Sequence, residues 1–408
     1  FYSAHLFLKN YSNTIKAVAI GDYAISLGQG LIAHSGFGYG KSNLVMNIKK
    51  SSPTLRPYSS VNEVGFMRGA GVTLGLGENI ETTVFASYRS RDGNVVEVDT
   101  TDIFGDQLVG FSSLLNAGFH RNINEVEDQN AIQQFSVGGN VAYRQRNWHI
   151  GLNAIFDRFS QPLIRNTQPF NRFYFSGTQA FNASVDYSFI QRNFNFFGET
   201  AVGDNGAIAT MNGLLIGVDR KIDLAILHRH YPFDYVALTG NAFGETTQVR
   251  NENGLYLGLV ARPLPRWEWS GYFDVYQHPW LRSRIDAPSK GYDWRMRLRF
   301  YKKRDVEAYL QLRQEVKEQN FPDNTTPTDF IAPTRAFQAR LHFSKKVTPE
   351  LELRTKLAWG YTDNGVGINR SEGFNILQDV IYRPVSFPIS FSTRFAIFDT
   401  DGFNTRFY

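Results

Sequence analysis

The sequence predicts an all-β fold, an antiparallel transmembrane β-barrel of about 18–22 strands with short periplasmic turns and long extracellular loops. Three observations predict it. Apolar residues recur with a period of two, and tight turns alternate with long polar connections. Aromatic residues and glycine are abundant, although mean hydropathy is slightly negative.

Composition sets the first limits. The chain has 408 residues, with 34 Phe, 20 Tyr and 35 Gly. No uninterrupted apolar run approaches the ~18 residues of a spanning helix. A barrel conceals its membrane character because only alternate residues face lipid. The net charge of +5 is too small for the clustered basic face of a nucleic-acid binder, so nucleic acid is not an expected partner. The absence of cysteine excludes disulfides, thiolate metal sites and cysteine nucleophiles. Phe1 opens directly into a strand-like pattern, so a leader and an N-terminal region are expected to precede it. Residues 403–408 read as the start of another strand, and final strands are expected beyond them.

The clearest hairpin covers residues 292–317. Met296, Leu298 and Phe300 alternate with Arg295, Arg297 and Arg299, and Val306, Ala308, Leu310 and Leu312 alternate with Glu307, Tyr309, Gln311 and Arg313. Successive strand side chains point to opposite faces, so one face is apolar and the other charged. Matching apolar to apolar residues requires an odd loop. Lys302-Lys303-Arg304 fits, and sets Arg299 opposite Glu307 and Arg295 opposite Gln311. The same alternation turns at Gly77-Glu78-Asn79 between Leu76 and Ile80, at Gln145-Arg146 between Tyr143 and Trp148, and at Pro263-Leu264-Pro265 between Leu259 and Trp267. It turns again near Val347-Thr348-Pro349 before Leu351, and between Tyr382 and Ile389. Weaker hairpins at Gln191-Arg192 and Arg220-Lys221 bring the count to about eight tight turns and roughly sixteen strands. Between them lie longer polar stretches at 89–131, 160–177, 231–253, 278–289 and 318–334, with 203–206 a short exception. A soluble sandwich has no reason to sustain that asymmetry.

The first 65 residues are less regular. Residues 1–9 and 15–32 suggest a strand pair, which brings the total to about 18 strands. The glycine-rich 36–42 follows, and 24–65 is expected to form a lumen plug or a loop of a single 1–408 barrel domain. Within the long 89–131 connection, Asn122 to Asp128 reads as a short capped helix, and such a loop suits a lid or constriction.

Few patterns carry chemistry. Gly40-Lys41-Ser42 resembles the end of a phosphate-binding loop, but position 35 is Ser and no helix follows, so packing inside a barrel is the better reading. Asp399-Thr400-Asp401-Gly402 lacks the later ligands of a calcium loop. His228 and His230 share a strand face and could ligate a metal, yet a place at the base of a loop suits them better. No local signature of a catalytic triad appears, so neither an enzyme nor a bound cofactor or metal is expected. The charged ladder Arg295, Arg297, Arg299, Arg313, Arg340, Arg354 and Lys356 could form an anion-favouring constriction. Because Glu307, Glu315 and Glu352 lie on the same strands, a wall of ion pairs lining the lumen is favoured. Trp148, Trp267, Trp269 and Trp359 fall near turns or strand ends and read as an interfacial girdle.

The stretch Ala19-Ile20-Gly21-Asp22-Tyr23-Ala24-Ile25-Ser26-Leu27-Gly28-Gln29-Gly30-Leu31, followed by 36–42, resembles the barrel portion of certain Bacteroidota outer-membrane proteins. Arg68-Gly69-Ala70, Leu115-Asn116-Ala117-Gly118-Phe119-His120-Arg121, Gly138-Gly139-Asn140 and Phe398-Asp399-Thr400-Asp401 extend the likeness over nearly the whole chain. That family joins an N-terminal helix-hairpin-helix region of competence type to a C-terminal barrel. The resemblance implies residence in the bacterial outer membrane and transfers no site residue. The expected function is a channel with a polar, partly occluded lumen, or a structural component of a larger envelope complex. The alternative is a docking subunit of a secretion, assembly or DNA-uptake machine. Expected partners are outer-membrane lipid and other outer-membrane or secretion subunits.

Overall fold

The computed structural model describes residues 3–36, 40–60, 65–98, 108–115, 120–321, 326–364 and 370–406. Three residues of the glycine-rich stretch (37–39), residues 61–64 of the expected plug, 116–119 of the resembling segment, part of the 89–131 connection and the last two residues of 403–408 lie outside them. The described residues form 21 strands. Their contacts define two compact units. The first comprises residues 1–40, 47–214 and 228–253, and the second comprises 41–46, 215–227 and 254–408.

In the first unit β1 (His5–Lys9) pairs with β2 (Ile15–Ile25), which also carries the short β3 (Leu55–Pro57) and then β4 (Met67–Leu76). The antiparallel ladder continues through β5 (Ile80–Arg91). A hairpin of β6 (Gly93–Val98) and β7 (Leu108–Leu114) interrupts the sequence, and β5 pairs instead with β8 (Ile132–Arg144). Next come β9 (Trp148–Leu163), β10 (Gly177–Gln191), β11 (Phe194–Gly203) and β12 (Ile208–Gly217). The chain proceeds through β13 (Ile222–Tyr231) and β14 (Glu252–Ala261). In the second unit β15 (Trp267–His278), β16 (Ser289–Lys302), β17 (Val306–Asn320), β18 (Ile331–Lys346), β19 (Leu351–Asp363), β20 (Ser371–Tyr382) and β21 (Phe391–Thr400) each pair antiparallel with the next. Setting aside β3, β6 and β7 leaves 18 of the 21 strands, the number reached from periodicity. Among the described residues β1 has β2 and β21 has β20 as strand partner.

The sidedness of these strands decides their solvent. In β5, Val84 and Tyr88 are 53% and 63% exposed while Thr83 and Ser87 are buried. In β9, Leu152 is 56% exposed and Asn153 and Asp157 are buried; in β10, Val185 and Phe189 are exposed and Ser184, Asp186 and Ser188 are buried. The second unit repeats this: Met296, Leu298, Leu310 and Leu341 are exposed, whereas Asp293 and Gln311 are buried. Water-soluble folds show the opposite order, and an apolar exposed face of this extent is stable only against hydrocarbon. Most of the strands run 10 to 16 residues, enough for the ~9–11 of a tilted membrane-crossing strand. The protein is therefore a transmembrane antiparallel β-sheet protein of the barrel class. No helix among the described residues is long and apolar enough to cross a membrane.

Four details differ from the sequence reading. The hairpin of β16 and β17 matches apolar rows as expected, with Leu298 opposite Leu310, but Lys302 pairs with Val306, so Arg299 faces Tyr309 and Arg295 faces Arg313. The loop has three residues, displaced by one to 303–305, because Arg304 takes the left-handed conformation (φ 62°) that closes such a turn. Arg299 still reaches Glu307 diagonally at 2.8 Å. Strand β2 ends at Ile25, not near 32: Gly28 and Gly30 have positive φ, which breaks the ladder. Residues 89–131 contain the β6–β7 hairpin as well as the expected helix α1 (Ile123–Glu127), whose Asn122 side chain accepts a hydrogen bond from Glu125 N at 2.9 Å. Finally, Phe403–Thr405 is one turn of 3-10 helix, not a strand. Buried Thr405 donates from its hydroxyl to Glu372 O, which fastens the turn over the end of β20.

Candidate functional site: the polar inner faces of the strands

The buried faces of the strands are built from polar rows. In the first unit Asp157 accepts from Gln134 Nε2 and Ser136 Oγ, Asn153 receives a bond from Asn140 and donates to Ser184 and Asp186, and His149 meets Asp186 at 2.7 Å. Such rows satisfy side chains that alternate with the lipid-facing residues, as buried polar groups require.

On this face lies the chain that follows β2. Glu199 of β11 is fully buried, and its carboxylate accepts from the backbone N–H of Gln29 at 2.6 Å and of Leu31 at 3.0 Å. The sequence Gly28-Gln29-Gly30 allows this. Gly28 has φ +50°, and a Cβ there would lie 2.7 Å from the Glu199 carboxyl carbon. Gln29 and Lys50 exchange two hydrogen bonds that staple the outgoing and returning arms of the segment. Tyr235 and Thr239, in the connection after β13, donate to Leu31 O and Ile32 O. That connection is itself held by Arg229, fully buried and bonded to Glu252, whose carboxylate also accepts from the backbone of Glu245 and Thr246. Burial pushes the Lys50 amine down to about 7, with the Glu199 carboxylate pulling the other way. The Lys49 ammonium donates to Ser188 Oγ and Asn195 Oδ1 and is lowered by burial, against the pull of Asp186.

In the second unit Lys41 sits between two buried carboxylates, 3.3 Å from Asp274 and 3.2 Å from Asp293, which face each other across β15 and β16. Arg313 also reaches Asp293 at 2.8 Å, and Tyr272 donates its hydroxyl to it. Asn43 accepts from Arg295, and Val45 O accepts from the buried Tyr256 hydroxyl. The lysine of the phosphate-loop-like triplet is thus occupied as a counterion to an aspartate pair.

The charged ladder is partly one network and partly dispersed. Glu307 takes Arg299 at 2.8 Å and Arg297 at 3.9 Å, while Arg297 also stacks over Tyr309 at 3.9 Å. Glu352 takes Arg354 at 2.6 Å and Arg383 at 3.1 Å, and Arg313 reaches Glu315 at 3.9 Å. Arg340 bonds Gln338, and Lys356 lies on the same face of β19 as Arg354. His228 and His230 are exposed, and His230 meets Asn253 at 2.5 Å. Between them Arg229 points the other way, and sequence reasoning passed over it. Also missed were Glu199, the one acid of β11, and Asp274 and Asp293, on β15 and β16. Their one signal was an acid at an inward position. Trp148 and Trp267 stand beside tight turns, in tilted ring contact with Tyr143 and Phe300, with Trp269 two residues further. Trp359 lies in the later half of β19, packed on Phe337 and Tyr361.

No family model matches the chain and no curated protein matches it. Solved structures to which it is similar include OccK9 (OpdG) of Pseudomonas aeruginosa, with 8% identity over 93% of this chain and 91% of that one, at a TM-score of 0.38. Similar too are OccK8 (OprE) of the same species (9%, 82% and 88%, TM-score 0.37) and a BenF-like porin from Pseudomonas fluorescens Pf-5 (10%, 79% and 94%, TM-score 0.35). These superpositions are loose, and the architecture rests on the strand pairing and the inverted exposure.

Proposed function

We propose that the protein is a bacterial outer-membrane β-barrel with a polar, partly occluded lumen, acting as a channel or as a structural component of an envelope complex. The observation that carries this is the exposed apolar face backed by a buried polar one, which requires lipid outside and polar contents inside. In a barrel, residues 26–36 and 40–58 would occupy the lumen as a plug, because their contacts are with inward side chains: Glu199, Tyr235 and Ser188 in one unit, Asp274, Asp293 and Tyr256 in the other. The edges of β1 and β21 must also find partners, since hydrocarbon offers unpaired strand edges no hydrogen bonds. The function follows from site chemistry that binds and lines.

Planar-bilayer recordings test the channel. Small or intermittent conductance is expected from the wild type, and larger steady conductance after deletion of residues 27–53. If neither protein passes current, the channel is wrong and the structural role remains, to be tested by whether native purification recovers a stable complex. Docking in a secretion, assembly or DNA-uptake machine is the second reading. Its support is the resemblance to barrels that carry a helix-hairpin-helix region.

A further inference from the structure

A cleft of about 980 Å³ opens in the first unit at the tight-turn end of its strands, beneath the segment that follows β2. Its walls come from the β1–β2 turn, the Gln145-Arg146-Asn147 turn, residues 49–57 and the inner faces of β8 to β10. The charge of these walls is lopsided. Lys9, Lys16, Lys49, Arg56 and Arg146 all line it, and among the described residues none of the five forms an ion pair. The hydrogen-bond partners of Lys49 are the neutral oxygens of Ser188 and Asn195, and those of Arg56 are Ser26 Oγ and Ser35 O. The two carboxylates present are already engaged: Glu81 with Arg144 at 3.4 Å, and Asp186 with His149 at 2.7 Å. Lys50 adds a further amine, bonded to Asn241 O.

A set of solvated surface lysines would have no consequence, but this set is concave and graded. Lys9 and Arg146 are exposed at the rim, Lys16 is half-buried, and Lys49 and Arg56 lie partly buried on the floor. Low-dielectric walls focus the field of such charges into the cleft and concentrate counter-ions there, and screening is weaker than on an open face. The volume is that of a small-molecule site, about 300–1,000 Å³. Five dispersed cations cannot be neutralised by one monovalent ion, whereas a compact solute with two or more phosphate or carboxylate groups spans them.

We propose that this cleft binds a small multivalent anion bearing phosphate or carboxylate groups, admitted from the tight-turn side. The site goes beyond the channel reading and does not depend on conduction. Titration calorimetry of the refolded full chain in neutral detergent, with pyrophosphate and with citrate at ionic strength held constant by sodium chloride, tests it. Saturable binding is expected for at least one of the two. It should weaken at least tenfold in Lys49→Gln and in the double variant Lys16→Gln/Arg146→Gln, and remain unchanged in Lys303→Gln, an exposed turn residue of the second unit. Should Lys49→Gln fail to fold, as judged by heat-modifiable gel mobility, the Lys16→Gln/Arg146→Gln double variant alone decides. Absence of binding by both probes, or binding that the cleft variants leave intact, overturns the proposal. A silent bilayer recording with intact anion binding would remove the channel and leave the cleft standing.

Discussion

Lys41 and Glu199 do comparable work with opposite charge. Lys41 lies between Asp274 and Asp293, both fully buried. Removing one partner of a buried ion pair leaves uncompensated charge, at a cost of about 3–5 kcal/mol. Arg313 remains beside Asp293, so Lys41→Met is expected to lose ~3 kcal/mol in urea unfolding followed by tryptophan fluorescence, and Asp274→Asn in the same chain should restore much of it. Glu199→Gln weakens two charge-assisted bonds to Gln29 and Leu31; a loss of about 1–3 kcal/mol should appear as protease cleavage within residues 27–53 while the strands stay intact. Lys50 makes stability depend on pH. Its buried amine titrates near 7 in the folded protein and near 10.4 when unfolded. Between those values the unfolded chain binds more protons, so this contribution to stability rises with pH from about 7 to about 10.4. The urea midpoint should rise over that window and the rise should shrink in Lys50→Met. An unchanged slope in the variant would show that Lys50 is not the group responsible.

At the level of the strand, the two faces predict unequal tolerance. Leu298 and Leu310 face each other on the exposed apolar side of the β16–β17 hairpin, and Gln311 lies on the buried polar side. Arg at a lipid-facing position near the bilayer midplane costs about 2–4 kcal/mol, and a lumen-facing change mainly alters the charge lining. Leu298→Arg should therefore impair folding into liposomes far more than Gln311→Arg. Equal effects would contradict the assignment of faces. The loops add a local lesson. Helix α1 was legible because Asn122 caps it within a few residues. The β6–β7 hairpin was not, because its weak alternation in Gly93–Val98 and Leu108–Leu114 is stabilised by contacts such as Phe111 with Ile132, Phe159 and Leu163.

For the whole molecule the prediction is one of orientation. The chain has no cysteine, so single substitutions report cleanly. With tight turns in the periplasm, Ser283→Cys in the β15–β16 connection should react with a membrane-impermeant maleimide on intact cells. Lys303→Cys, in the β16–β17 turn, should react after the outer membrane is permeabilised. The reverse pattern would invert the topology and place the cationic cleft at the cell surface.

Period-two alternation, turn chemistry and loop length are local properties, so the sequence alone determined the strand class, the 18 principal strands and the matching of apolar row to apolar row in hairpins such as β16–β17, while the pairing of Leu298 with Leu310 in place of Ala308 came from the structure. Whether a turn closes at 302–304 or 303–305 depends on which residue takes positive φ, a difference too small in energy to read from residue types. The partners of Glu199, Lys41 and Arg229 lie 23 to more than 200 residues away in the chain. Their pairing was decided by the tertiary structure, because a charge removed from water takes whichever opposite charge or backbone dipole the folded chain brings within about 3 Å.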